Sequence, residues 1–402
     1  MKTICVLSLE SINNAGDEIL GSTTKWLIEK AVNNILDDVR VVKIELYPKW
    51  NVAFGEKYFL DSLISRLLRK IERVCWGQID SPKVDSFLHK VRYWRYFKHE
   101  LKKADSVILA LGMLKYKAQA FSYQDTNYNI EIINRILSLG NIPLMMSAMS
   151  IADPDEADWR YNKLVFAANM SAVKMITTRD GIEGENKLKK FYIRSNIQTD
   201  YVGDPALWIP ECYGVSKKEE SDLVGIGLVR KDIFDDYSEK GRVDLLAVYV
   251  DFLTELTRRG VKWVLFCNGI ESDYAFGQEI VKKMNLPKES LLRKPQCAEE
   301  LINDISQFSA VFGARLHACI TAVSLGIPVT GMLWDPKLYY FAKTMKILPF
   351  FTNLENMNGK YLADRFIDAM NSKVNYNARD EFKERTYQAF YRYLNECGLV
   401  DN

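Results

Sequence analysis

Short apolar runs alternate along this chain with longer segments in which apolar residues recur every three or four positions. In the first half the runs Thr3–Leu9, Val41–Leu46, Ser106–Leu111, Ile142–Ser147 and Lys174–Thr178 read as strands. Leu223–Val229, Lys262–Cys267, Ala310–Phe312 and Pro328–Leu333 read the same way in the second. Segments with helical period intervene, among them Glu18–Ala31, Leu245–Arg259, Ala298–Gln307 and Leu316–Leu325. A strict strand–helix alternation predicts βαβ units and parallel sheets flanked by helices, an α/β fold. Turn residues at Gly203-Asp204-Pro205 through Pro210, followed by the charged stretch Lys217–Ser221, mark a boundary between two units. The expected division is therefore 1–205 and 206–375, with a terminal helical segment 376–402. In that last segment Phe382, Ala389, Phe390 and Tyr393 share one face, which needs a partner surface. The expected partner is the first unit.

The region 56–103 breaks the pattern. It holds twelve Lys and Arg against six Asp and Glu, interleaved with aromatic and aliphatic residues such as Leu67, Trp76 and Trp94. Two amphipathic helices with basic faces are expected there. They fit either an insertion packed on the first unit with a solvated face, or contact with an anionic membrane surface.

Composition narrows the function classes. A length of 402 residues suits two domains with full cores, and a net charge of +2 gives no pull toward nucleic acid. The seven cysteines are dispersed, with no CxxC pair and no His/Cys cluster, so neither a disulfide framework nor a metal site is predicted. The apolar run after Met1 is too short for a signal peptide or a membrane span, so a cytoplasmic protein is expected.

Candidate chemistry gathers at strand ends. Phe312-Gly313-Ala314-Arg315-Leu316-His317-Ala318 puts Arg315 and His317 where a strand hands over to a helix, and free backbone N–H groups there favour an anion. Trp334-Asp335-Pro336-Lys337 brings Lys337 to the next strand end on the same sheet edge, where open α/β sheets hold ligands. Only three histidines occur; His89 and His99 lie in the basic stretch, and His317 stands alone among small apolar residues. Thr178-Arg179-Asp180 and Val229-Arg230 repeat the strand-end arginine. Arg179 also admits an ordinary use, as one half of a surface pair with Asp180.

After the first predicted strand comes Asn14-Ala15-Gly16-Asp17-Glu18. Gly16 permits close approach of backbone to ligand, and Asp17 reads as an N-cap. The segment is not GxGxxG, so no dinucleotide cofactor is predicted. Asp204-Pro205-Ala206-Leu207 reads as a structural turn, and Asp273 as a candidate for contacts with hydroxyl groups.

Taken in order, Asn14/Gly16/Asp17, Arg179-Asp180, Asp204-Pro-Ala-Leu207, Arg315-Leu-His-Ala318 and Asp335-Pro-Lys337 resemble the motifs of the polysaccharide pyruvyl transferase family. The similarity spans about residues 3 to 345. It implies two Rossmann-like domains facing across a cleft, as in GT-B glycosyltransferases. It also implies transfer of a pyruvyl ketal from phosphoenolpyruvate to a sugar of a cell-surface polysaccharide or its lipid-linked precursor. Carried over by motif, His317, Arg315 and Lys337 are the expected catalytic residues. Arg179, Arg230, Asn14, Gly16, Asp17 and Asp273 are expected to bind substrate. Ketal transfer from phosphoenolpyruvate calls for no cofactor and no metal; contact with the inner face of the plasma membrane through the basic helices and a homo-oligomer are further partner readings, with the packed insertion preferred for the helices. Two departures stand out: Leu109–Leu114 and Ser147–Ala152 occupy places where the family carries glycine-rich turns. They bear on the acceptor. A nucleotide-sugar glycosyltransferase and a non-catalytic sugar-binding relative are the alternatives.

Overall fold

The computed structural model describes residues 1–8, 14–33, 38–45, 101–114, 140–191, 193–236, 243–353 and 357–400. The basic region 56–103 lies outside the described residues, apart from its last three positions.

The first apolar runs form a parallel sheet. Its strands are β1 (Lys2–Ser8), β2 (Val39–Glu45), β3 (Ser106–Ala110), β4 (Met113–Leu114), β5 (Leu144–Ile151), β6 (Val173–Thr178) and β7 (Gln198–Tyr201). They run in the order β2-β1-β3-β5-β6-β7, with the short β4 pairing to β5. Cys5 stands opposite Val42 and Val107 in register, so the most apolar residues share the centre. β5 is longer than its apolar run predicts, extending past Ala148 to Ile151 through two register shifts. β7 was not legible as a strand, because Gln-Thr-Asp-Tyr at a sheet edge is only partly buried and lacks an apolar run.

The second sheet contains β8 (Leu223–Gly227), β9 (Lys262–Phe266), β10 (Val311–Gly313) and β11 (Val329–Gly331), all parallel in the order β11-β10-β8-β9. Helices cover both sheets: α1 (Ala15–Ala31), α2 (Trp159–Ala168), α3 (Gly181–Lys190), α4 (Ile209–Tyr213), α5 (Leu245–Arg258), α6 (Glu271–Lys283), α7 (Ala298–Ser306), α8 (Leu316–Ser324), α9 (Pro336–Thr344), α10 (Gly359–Met370) and α11 (Tyr376–Glu396).

Three features join the sheets. The start of α1 reaches across the seam: Ala15 N donates to the Asn268 carbonyl at 3.0 Å, and Glu18 Oε2 accepts from Ala298 N at 3.0 Å. α3 meets α9 through the Glu183–Lys343 ion pair and through Lys187, whose Nζ lies 5.2 Å from the Tyr340 ring centre. Finally, α11 returns to the first sheet. Its Tyr393 hydroxyl is 2.6 Å from Ser106 Oγ and within 2.9 Å of the Pro143 carbonyl, with Phe390 and Leu394 buried beside it. Among the described residues no helix is long and apolar enough to cross a membrane.

Candidate active site

β10 ends at Gly313, where a Cβ would stand 2.3 Å from Cys319 Sγ, so only glycine lets the chain turn into α8 this tightly. Every residue of α8 is buried, which explains its run of small and apolar side chains. Arg315 is the residue before the helix, in extended conformation, and its side chain leaves the core. Its guanidinium forks onto Asp273, with Nε 2.9 Å from Oδ2 and Nη2 2.7 Å from Oδ1. It also lies 5.5 Å from the Trp334 ring centre, a cation–π contact. Asp273 is fully buried and accepts a further bond from Arg230 N at 2.8 Å. Asp273 is therefore corrected: both of its oxygens are spent holding protein groups, and none is presented to a sugar hydroxyl. The side chain of Arg230 pairs with Asp232 at 2.9 Å.

His317 occupies the seam. A Cβ on Gly16 would fall 2.4 Å from its Nδ1, so the first turn of α1 lies directly on the imidazole face. Gly16 is inside the helix, so its value here is a missing side chain. Nε2 is buried, without a hydrogen bond, and 3.9 Å from Asp204 Oδ2. Burial pushes the imidazole down to about 4, with Asp204 opposing and Arg179 and Lys337 reinforcing the shift. His317 is thus neutral at pH 7.

Arg179 lies at the end of β6 and is almost wholly enclosed. Nη1 pairs with Asp204 Oδ2, Nη2 donates to the Gly112 carbonyl at 2.9 Å, and Nε meets Ser150 Oγ at 3.3 Å. The surface pair with Asp180 does not form. Asp180 is buried and instead accepts from Ser150 Oγ at 3.0 Å and Ile151 N at 2.8 Å. Asp204 is the residue that sequence reasoning missed. It caps the turn Pro205–Trp208, accepting from Ala206 N at 2.9 Å, and also serves as counter-ion to Arg179 and neighbour to His317. The two departures from the family pattern lie in this corner: Gly112 supplies the carbonyl, and Ala148 has φ of +49°, a conformation in which glycine is the unstrained residue.

Lys337 opens α9 behind Pro336. Asp335 caps that helix, accepting from Lys337 N at 3.0 Å, and its carboxylate lies 3.2 Å from Lys337 Nζ. Nζ stands 5.6 Å from the Trp334 ring, the same indole that Arg315 covers. Lys337 and Arg179 line one small hollow with Asp204, Leu316, Ile320 and Phe341.

Asp17 is also corrected. Asn14 is the N-cap of α1, its side chain accepting from Gly16 N at 3.2 Å, and Asp17 sits in the first turn. Asn14 Nδ2 donates to Asp17 Oδ2 at 3.1 Å. Burial pushes the Asp17 carboxyl up to about 6 against the pull of Lys337, Asn14, Arg179 and Arg315. Among the described residues no cluster of His, Cys, Asp and Glu is arranged to hold a metal ion.

Two parallel sheets with helices on their faces, joined by a seam that carries the charged residues, define a two-domain Rossmann-like protein of the GT-B kind. The chain is similar to the UDP-GlcNAc 2-epimerase of Neisseria meningitidis bound to UDP-GlcNAc, at 11% identity and a TM-score of 0.55 over 100% of both chains. It is similar to the Methanocaldococcus jannaschii UDP-GlcNAc 2-epimerase in complex with UDP-GlcNAc and UDP at 14% identity and 0.55, covering 98% of this chain and 100% of that one. At this identity the likeness shows the fold alone. The sequence profile of the polysaccharide pyruvyl transferase family matches residues 14–336, and the chain belongs to that family. No curated protein matches the sequence.

Proposed function

We propose that the protein transfers a pyruvyl ketal from phosphoenolpyruvate to a sugar of a cell-surface polysaccharide or its lipid-linked precursor. The observation that carries this reading is the grouping of Arg179 and Lys337 about a buried, neutral His317, with Arg315 joining both cations within reach of Asp17, in a member of this family. Phosphoenolpyruvate bears a carboxylate and a phosphate on one small frame, and needs several cations at short range. Arg315 spends Nε and Nη2 on Asp273, which leaves Nη1 for a second anion. Lys337 is a point charge suited to phosphate, and Arg179 fixes the opposite wall.

The reaction adds a proton to the methylene carbon and two sugar oxygens to C2, and breaks the bond between C2 and the phosphate oxygen. Neutral His317 accepts the proton of the attacking hydroxyl, since an imidazole with a value near 4 is a base at pH 7 and holds no proton to give. Of the two hydroxyl protons, one restores the acid that protonated the methylene and the other leaves with phosphate. Lys337, on the wall opposite Arg179, stabilises the departing phosphate.

A nucleotide-sugar glycosyltransferase is the second reading, favoured by the UDP-GlcNAc complexes among the structural neighbours. Titration calorimetry separates the two. Binding of phosphoenolpyruvate and not of UDP-sugars, with phosphate release when a polysaccharide acceptor is added, is the expected result. Binding of UDP-sugars with none of phosphoenolpyruvate would overturn the proposal, and binding of sugar alone without turnover would identify a non-catalytic relative.

A further inference from the structure

Counting charges around the seam leaves one carboxylate over. Arg179 is paired with Asp204, Arg315 with Asp273, and Lys337 with Asp335. Asp17 is a fourth acid within electrostatic reach of the same three cations, yet among the described residues it makes an ion pair with none of them. Its side chain is held by a neutral donor, the Asn14 amide, at 3.1 Å. It sits one residue after Gly16, which touches the imidazole of His317. The first turn of α1 therefore carries both the residue packed on the base, Gly16, and a carboxyl, Asp17, within reach of the same cations. Glu18, the next acid in that turn, is committed to Ala298 N and cannot take the role.

The scheme above needs an acid for the methylene carbon, and neutral His317 cannot supply it. Resting on that reading, we infer that Asp17 is the proton donor of the reaction, working opposite His317 as the base. The Asp17 carboxyl gives its proton to C3 of phosphoenolpyruvate, converting CH2 to CH3 as the sugar oxygen bonds to C2. The carboxylate left behind is reprotonated by the hydroxyl proton that His317 takes up, so the pair returns to its starting state after each turnover. Two carboxyl-and-imidazole environments pushed in opposite directions are the usual mark of such an acid and base.

The arrangement also loads itself. Burial already favours the protonated carboxyl, and phosphoenolpyruvate adds about three negative charges beside it at neutral pH, which favours that form further. Donor binding at pH 7 therefore draws a proton onto Asp17 from solvent before chemistry begins. Lys337 from α9, Arg179 from the end of β6 and Arg315 from the start of α8 are the charged groups facing it, and Asn14 is its neutral partner.

The test uses the full chain and phosphoenolpyruvate itself. Calorimetric titration at pH 7 in two buffers of different ionisation enthalpy reports protons taken up per ligand bound. The wild type is expected to take up a proton on binding. Asp17→Asn is expected to bind phosphoenolpyruvate at least as tightly, to lose that uptake, and to turn over on the order of a hundredfold more slowly. Tight binding by the variant also shows that its site is folded. Proton uptake that persists in Asp17→Asn, a wild type that binds without uptake, or variant turnover within about threefold of wild type would each overturn the assignment and leave the donor reading standing. Failure of the wild type to bind phosphoenolpyruvate would overturn both.

Discussion

The two walls of the site hold their cations in opposite ways. On the first-lobe wall Arg179 is tied to a carboxylate, a backbone carbonyl and a hydroxyl from three different parts of the chain. On the second-lobe wall Lys337 leans on the indole of Trp334 and on Asp335, the acid that caps its own helix. Arg179 is 8% exposed and Lys337 is 22% exposed at the side chain. Removing the enclosed ion should damage the scaffold, whereas removing the more open one should damage ligand binding. Position and chemistry are thus divided between the walls, with His317 at the line where they meet.

The largest effect expected is on turnover. His317→Gln should slow phosphate release from phosphoenolpyruvate and acceptor by about two to four orders of magnitude while the fold remains. Next comes Arg179→Met, which strands Asp204 as a buried, unpaired carboxylate and should cost about 3–5 kcal/mol in urea denaturation. The double variant with Asp204→Asn should recover much of that loss, and would sharpen the case that the pair is a scaffold element.

Acid titration comes third. The folded value of His317, about 4, lies below its ordinary 6.5, so between these values the unfolded chain binds a proton that the folded chain does not. Stability from this group is present above pH 6.5 and is lost as pH falls toward 4, by up to roughly 3 kcal/mol. His317→Gln should flatten that slope. Asp17 works in the other direction: its raised value makes stability greatest below pH 3.8 and lost as pH rises through about 6. Asp17→Asn should therefore gain on the wild type in thermal melts between pH 4 and 7.

Smaller still, Lys337→Met should change stability by less than about 1 kcal/mol yet weaken phosphoenolpyruvate binding about tenfold or more. If it destabilised the fold as much as Arg179→Met, the contrast between the walls would be gone. Ala148→Gly, relieving a left-handed alanine, should raise stability by about 1 kcal/mol without changing donor affinity.

Much of this architecture could be read before any coordinates. Buried strands such as β1 and β6 declare themselves through apolar runs, and the strand-to-helix handover puts Arg315, His317 and Lys337 on one sheet edge. What stayed hidden depended on distant partners. Nothing near Asp204 announces that Arg179, 25 residues earlier in the chain, will close on it. Nor does the carbonyl of Gly112 leave a residue pattern, since a backbone acceptor has no side-chain signature. Asp17 reads as the cap in the sequence, yet Asn14 holds that place and Asp17 sits in the first turn, because Gly16 between them is inside the helix. That glycine is required by the imidazole pressed against it.

The return of α11 to the first sheet fixes the order in which a growing chain can finish its lobes. The hydroxyl of Tyr393 seals a patch between Ser106 and Pro143 that is synthesised some 250 residues earlier. Until the ribosome has made the whole second lobe, that patch stays wet and the first lobe lacks part of its floor. The second lobe can complete its own sheet during synthesis. Completion of the first lobe therefore waits on the chain that follows the second.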